Sequence, residues 1–130
     1  MARAYTIATA ALALGTSSKW LDNTLSHYRV SGVVQRRQGV ARRITIEGLL
    51  TLSVALALIG EFGATVASAI SVAEKVVAAG GMYASPDEVR IELDLQYFRN
   101  RLLERLEHAV EVAPVPRRGR PPKTTTGRLE

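Results

Sequence analysis

Arginine is concentrated in two parts of this chain, and its guanidinium group is well suited to binding phosphate oxygens. The first 43 residues carry seven lysines and arginines against one acid, Asp22. Residues 44–111 reverse this balance with ten acids against five bases, and residues 112–130 return to five bases against one acid. Two basic ends around an acidic middle indicate a polyanion held at two places, most simply a nucleic acid.

The first basic cluster falls on a predicted hairpin. Residues 33–45 read as two short strands on either side of Gln38 and Gly39. The arginines of this hairpin and of the loop before it are Arg29, Arg36, Arg37, Arg42 and Arg43. Like charges paired across a hairpin repel one another unless an anion lies against them. We therefore expect this hairpin to contact phosphates as a basic wing, with a solvated charged face as the simpler alternative.

Two short helices precede the hairpin in the predicted order of elements. Thr6 is suited to cap a first helix over residues 7–14, and Gly15 can adopt the positive φ that ends it. Ser17 is placed to cap a second helix, whose apolar side chains recur at three-and-four spacing. Two helices joined by a short glycine-containing turn predict a helix-turn-helix, in which the small Ala11 would allow a close crossing.

The second helix is the candidate for reading bases in a major groove. There, Lys19 could reach guanine acceptors and Asn23 could pair with adenine. The candidate DNA-facing residues of this helix are Ser17, Ser18, Lys19, Asp22, Asn23 and His27. Each of them has an equally simple interpretation as an ordinary solvated side chain.

These motifs together resemble a MerR-like winged helix-turn-helix protein. The resemblance rests on Tyr5-Thr6-Ile7, Gly15-Thr16-Ser17, Trp20-Leu21, Gly32-Val33-Val34 and the run from Arg43 to Leu49. It covers about residues 5–79 and implies a DNA-binding region over residues 1–79. Excisionases and phage regulators share this degenerate pattern, so the resemblance concerns the fold more than a subfamily. Because the chain has no cysteine, the metal sensing known in that family is not expected.

Residues 45–79 predict two apolar helices that build the core. Thr45 can cap the first of them, which is expected to reach Ile59 before Gly60 and Gly63 interrupt it. The uncharged run inside it is too short to span a membrane, which takes about 20 apolar residues. Both helices are apolar on more than one side, so we expect a second subunit to cover part of their surface.

Residues 80–111 predict a strand and a helix that serve dimerisation or partner binding. Apolar and polar residues alternate from Glu88 to Leu95, as in a half-buried strand, and a helix with a heptad-like apolar stripe begins near Gln96. A lone strand needs a pairing partner, which a second subunit would supply. The candidate contact residues are Val89, Ile91, Leu93, Leu95, Phe98, Leu102 and Leu106. A helix that folds back onto its own domain is the alternative that the sequence leaves open.

Residues 112–130 are rich in proline, glycine and charge, and we expect them to be disordered when alone. Within them, Arg118-Gly119-Arg120-Pro121 resembles an AT-hook. In such a motif glycine lets the backbone approach the floor of a minor groove, proline stiffens the chain and arginine is drawn to A·T tracts. The candidate residues are Arg117, Arg118, Gly119, Arg120, Pro121 and Lys123. A generic basic arm is the alternative.

No catalytic, metal-binding or cofactor-binding pattern emerges from the sequence. The two histidines, His27 and His108, are far apart, and neither has a partner at the spacing of a metal ligand or a general base. We therefore expect a cytoplasmic, nucleoid-associated protein that is not an enzyme and holds no cofactor. The expected fold is mainly α with small β elements: a winged helix-turn-helix, apolar helices, a strand and a C-terminal helix, in a homodimer.

The expected function is sequence-specific binding of double-stranded DNA by a bacterial or phage transcriptional regulator, most simply a repressor. Two alternatives stay open. A DNA-bending accessory factor of the excisionase type would suit the small size and the basic tail. An antitoxin-like protein would use the strand from Val89 to Leu95 and the following helix to clamp a protein partner, with DNA binding serving autoregulation.

Overall fold

In the computed structural model, which describes residues 3–35 and 41–113, the chain is mainly helical with two small antiparallel sheets. The helices are α1 (Ile7–Leu14), α2 (Ser18–His27), α3 (Ile46–Phe62), α4 (Val66–Ala78) and α5 (Leu95–Val112). The strands are β1 (Ala4–Thr6), β2 (Val33–Val34), β3 (Arg43–Thr45), β4 (Met82–Ala84) and β5 (Arg90–Glu92). The predicted class, mainly α with small β elements, is therefore confirmed.

Hydroxyl caps begin α1 and α2, as predicted. The side chain of Thr6 accepts a hydrogen bond from the backbone N–H of Thr9 at 3.2 Å, and that of Ser17 accepts one from the backbone N–H of Trp20 at 2.9 Å. Both bonds satisfy donors that the first turn of a helix leaves without a partner. α1 ends at Gly15, which has a φ of +74°. The connection between the two helices is therefore as short as the sequence indicates.

β3 is the central strand of a three-stranded sheet, with β1 on one side and β2 on the other. β2 and β3 correspond to the two strands of the predicted hairpin, with Val33 opposite Ile44 and Val34 opposite Arg43. β1, which the sequence did not indicate, places Tyr5 opposite Ile44. Ile44 is fully buried at the centre of the sheet. The hairpin is therefore fixed to the segment that leads directly into α1.

The loop after α2 crosses the start of α3 at close range. Thr45 caps α3 by accepting a hydrogen bond from the backbone N–H of Gly48 at 3.2 Å, and its own N–H donates to the carbonyl of Gly32 at 2.8 Å. Gly32 has a φ of +91°, and a Cβ built there would lie 2.5 Å from Thr45 Oγ1 and 2.6 Å from Gly48 N. Only glycine fits this crossing, which positions the hairpin against α3.

α3 is the central helix of the core. Its residues Leu49, Leu50 and Leu52 are fully buried, and α4 and α5 both pack against it. The helix continues through Gly60 and ends at Gly63, which has a φ of +69°. The predicted interruption at Gly60 is therefore wrong, because one glycine costs a helix only about 1 kcal/mol. Among the residues that the structure describes, no helix combines the length and apolar character that crossing a membrane requires.

β5 has a pairing partner inside the chain, which corrects part of the prediction for residues 80–111. The strand is confined to Arg90–Glu92 and pairs with β4, where Tyr83 lies opposite Ile91. The inference that this strand requires a second subunit is therefore wrong. It failed because β4 has only three residues, too few to show a strand period in the sequence.

α5 folds back onto its own chain, which was one of the two alternatives for this helix. Leu102 and Leu106 are only 2% and 3% exposed, and α5 packs against α1 and α3. These two leucines are therefore not available to a second subunit. The expectation that they form a dimer or partner contact is corrected, because α1 and α3 already cover the apolar stripe of α5.

Candidate nucleic-acid interface

One side of α2 is polar and exposed over the whole length of the helix. The other side carries Leu21, Thr24 and Leu25, which are buried and hold α2 against the core. The exposed residues of α2 are Ser18, Lys19, Asp22, Asn23, Ser26 and His27. Their spacing places them on one face of the helix. This polar face contains five of the six residues that the sequence suggested for DNA contact by this helix.

An ion pair joins the hairpin to the polar face of α2. Nη1 of Arg42, the residue before β3, donates to Oδ1 of Asp22 at 2.8 Å, and its Nη2 donates to Oγ of Ser26 at 3.4 Å. The side chain of Arg42 is 21% exposed and that of Asp22 is 56% exposed. The hairpin and α2 therefore form one continuous surface. Both charged residues were predicted to face DNA, but the pair itself was missed, although Asp22 is the single acid among the first 43 residues.

A shallow cleft of about 570 Å³ lies between the end of α2 and the hairpin. Arg29 and Arg42 are the cations in its wall, and His27 and Gln35 add polar groups. Ser26, His27 and Arg42 also belong to the surface just described, so the cleft opens beside the polar face of α2. This position suits an anion held between the helix and the hairpin.

The described part of this surface is basic. Lys19, Arg29, Arg42 and Arg43 outnumber two acids. Asp22 is paired with Arg42, and Glu74 accepts a hydrogen bond at 2.9 Å from the N–H of Ser31 in the loop that carries Arg29. The other predicted cations and their neighbours lie outside the described residues: Arg36 and Arg37 of the hairpin, and Arg117, Arg118, Gly119, Arg120, Pro121 and Lys123 of the tail. The surface therefore has the charge that a phosphate backbone requires.

Three side chains of the polar face, those of Ser18, Lys19 and Asn23, have no hydrogen-bond partner within the described residues. They are free to meet a ligand. Ser17 differs, because its hydroxyl is engaged with the N–H of Trp20 as the cap of α2. His27 is also engaged, since its Nδ1 lies 2.8 Å from the carbonyl oxygen of Asn23. Of these three, Lys19 and Asn23 are the side chains predicted from the sequence to pair with guanine and adenine.

The apolar residues suggested for a dimer or partner contact lie in two different environments. Leu93, Leu95 and Phe98 are half-buried against the core. Ile91 is half-buried on β5, and the neighbouring Val89 is 60% exposed. Of the suggested set, the part that stays accessible is therefore centred on β5.

Comparison with known proteins finds no matching family model, no matching curated protein and no matching solved structure.

Proposed function

We propose that this protein binds double-stranded DNA at specific sites as a transcriptional regulator, with α2 in the major groove and the hairpin as a wing on flanking phosphates. The observation that carries the proposal is the Arg42–Asp22 pair, which joins the exposed face of α2 and the arginine-bearing hairpin into one surface. A recognition helix and a wing need such a fixed relation, because phosphate contacts set the register in which side chains meet base edges.

The side chains of α2 suit a major groove, which admits one α-helix in its width of about 12 Å. Lys19 and Asn23 are exposed in the first half of the helix and have no partner within the described residues. A lysine matches the two acceptors of guanine, and an asparagine matches the acceptor and donor of adenine. The N-terminal half of a recognition helix is the part that meets base edges.

A phosphate-binding wing accounts for the cations beside α2. Arg29, Arg42 and Arg43 lie in or next to the hairpin, and the acids Asp22 and Glu74 offset them only in part. Arginines held together in this way repel one another, and phosphates would relieve that repulsion. A merely solvated charged face would not need a hairpin tied to the helix.

For the tail we propose a separate contact in an A·T-rich minor groove, made by the AT-hook-like run from Arg118 to Pro121. The run would add affinity without changing what α2 reads, because the two elements would occupy different grooves. For the regulatory outcome we propose repression. A bound protein that covers a promoter blocks it without needing any further surface.

The test is fluorescence anisotropy with the full chain on two duplexes, one from upstream of its own gene and one with the same bases scrambled. We expect a clear preference for the native duplex and, on both, a linear fall of log affinity with log salt. Asn23→Ala should reduce the preference about tenfold, since a lost base contact costs about 1–3 kcal/mol. Asn100 is an exposed asparagine on α5 outside this surface, and Asn100→Ala should leave the preference for the native duplex unchanged.

Three outcomes would count against parts of this proposal. Equal binding of the native and scrambled duplexes by the unmodified chain would show that α2 does not read sequence. A full preference in Asn23→Ala would remove Asn23 from the groove. Arg120→Ala should weaken binding to A·T-rich duplexes more than to G·C-rich ones, and an equal loss on both would make the tail a generic basic arm.

A further inference from the structure

β5 has one edge against β4 and a second edge that no described strand covers. In an antiparallel pair, opposite residues alternate between hydrogen-bonded and non-hydrogen-bonded pairs. The N–H of Leu93 donates to the carbonyl of Gly81 at 2.7 Å, so the odd-numbered residues along β5 turn their main-chain groups toward β4. The N–H and C=O groups of Arg90 and Glu92 therefore point to the open edge, where another strand could pair with them.

The charges on this open edge complement a second copy of the same edge. When two β5 strands pair antiparallel about a two-fold axis at Ile91, Arg90 of each copy lies opposite Glu92 of the other. These two positions are also the ones whose main-chain groups face outward, so the register satisfies the hydrogen bonds and the charges together. Within the described residues neither side chain has a salt bridge, since the ion pairs there involve Arg42 and Arg99.

The other side of the strand is apolar in the same register. The symmetric pairing places Ile91 opposite Ile91 and Val89 opposite Leu93. Beside this edge runs an apolar groove of about 430 Å³, lined by β5 and by the ends of α3 and α4 but not by β4. Phe62 in this groove is 80% exposed and Val89 is 60% exposed. A second copy would cover apolar surface that is costly to leave in water.

We propose that the chain forms a two-fold dimer through this edge, in which two β4–β5 hairpins become one four-stranded sheet. A two-stranded sheet is marginal alone, whereas four strands with an apolar face are stable. The order of charges selects a second copy as the occupant, because the same strand read in reverse supplies the acid for the base and the base for the acid. This proposal goes beyond DNA binding and does not depend on it.

The test uses charge reversal and sedimentation velocity on the full chain, over a wide range of protein concentration and without DNA. The unmodified chain should show a monomer–dimer equilibrium. Arg90→Glu and Glu92→Arg should each raise the dimer dissociation constant about tenfold, because each places two like-charged pairs across the axis. Glu107→Arg, an exposed position on α5 with the same charge change as Glu92→Arg, should leave the equilibrium unchanged.

The decisive sample is an equal mixture of the Arg90→Glu and Glu92→Arg chains. One chain then carries two acids at the edge and the other carries two bases, so the mixed dimer should form about as well as the unmodified one. The chain with both substitutions should also dimerise, because the two charges have only exchanged places. Far-UV circular dichroism shows whether each variant is folded, and the side chains opposite positions 90 and 92 on β4 are the uncharged Ala84 and Met82.

Three results would overturn the proposal. An unmodified chain that stays monomeric at every concentration would remove the dimer. Single variants that dimerise like the unmodified chain would move the contact elsewhere. A mixture that dimerises no more tightly than the single variants would exclude this register. Amide exchange gives a second readout: the N–H groups of Arg90 and Glu92 should be protected at high protein concentration and exchange rapidly at low concentration.

Discussion

Asp22 places a negative charge on a surface that we propose to bind a polyanion. Its carboxylate accepts a hydrogen bond from Arg42, whose second nitrogen donates to Ser26. The negative charge of Asp22 is therefore balanced by the arginine that it holds in position. A partly exposed ion pair of this kind contributes at most about 1 kcal/mol to stability. Its effect should therefore be sought in DNA binding, where we propose that it sets the place of one phosphate contact relative to α2.

We expect Asp22→Asn to raise affinity for a scrambled duplex and to lower the preference for the native site. The first effect follows from removing an acid near phosphates, and the second from releasing Arg42. Unfolding in denaturant should change by less than about 1 kcal/mol. Glu47→Gln is the matched control, because it breaks the comparable 2.9 Å pair with Arg99 outside this surface. Weaker binding of Asp22→Asn to both duplexes would contradict this role.

Gly32 combines a positive φ with a crossing that leaves no room for a Cβ. We expect Gly32→Ala to destabilise the protein by about 2–4 kcal/mol, from backbone strain and from overlap with Thr45 and Gly48. Gly63→Ala separates the two effects, because Gly63 also has a positive φ but no atom lies within 4 Å of its added Cβ. Gly63→Ala should lower the free energy of unfolding by about 1–2 kcal/mol. Equal losses in urea unfolding would show that the loop simply moves away from α3.

At the scale of elements, the sequence predicted what local chemistry determines. Thr6, Ser17 and Thr45 cap helices because each hydroxyl oxygen accepts a hydrogen bond from the backbone N–H three residues later. β1 and β4 were missed because strands of three residues carry no readable period. The partner of β1 is also distant in the chain, since Tyr5 lies opposite Ile44. Which elements meet is a non-local property.

In the candidate site, too, local features were predictable from the sequence and non-local contacts were not. Exposure of Lys19 and Asn23 was readable from the apolar stripe on the other side of α2. The contact between Asp22 and Arg42 spans 20 positions, so it depends on the sheet that brings β3 beside α2. No spacing in the sequence records such a contact.

The placement of α5 yields a prediction about this element. Leu106 is buried against its own chain, so Leu106→Ala should cost about 2–5 kcal/mol. Leu103, three residues earlier and 42% exposed, is the control and should cost less than about 1 kcal/mol when changed to Ala. The measurement is denaturant unfolding at several protein concentrations. A loss from Leu106→Ala that grows as the protein is diluted would instead indicate a helix shared between subunits.

Over the whole molecule, basic and acidic residues are concentrated in different segments of the chain. The bases of the first 43 residues include those on the α2–hairpin surface, whereas ten of the twelve acids fall in residues 44–111. The acidic middle contains β5, where a base and an acid alternate. Two proposed surfaces with different charge patterns can therefore serve different partners, DNA and a second copy of the chain. If this dimer binds DNA through α2, we expect it to present two copies of α2 to one duplex.

Such a dimer predicts an operator made of two half-sites related by two-fold symmetry. Arg90→Glu should bind a duplex with one half-site about as well as the unmodified chain, because Arg90 lies outside the α2 surface, but it should bind the two-half-site duplex more weakly. An equal mixture of the Arg90→Glu and Glu92→Arg chains should restore the lost affinity. Arg105→Glu, with the same charge change on α5, controls for general repulsion from DNA. If Arg90→Glu weakens binding to both duplexes equally, the substitution acts through net charge. If the mixture dimerises but its affinity for the two-half-site duplex is not restored, the dimer does not place two α2 helices on one site.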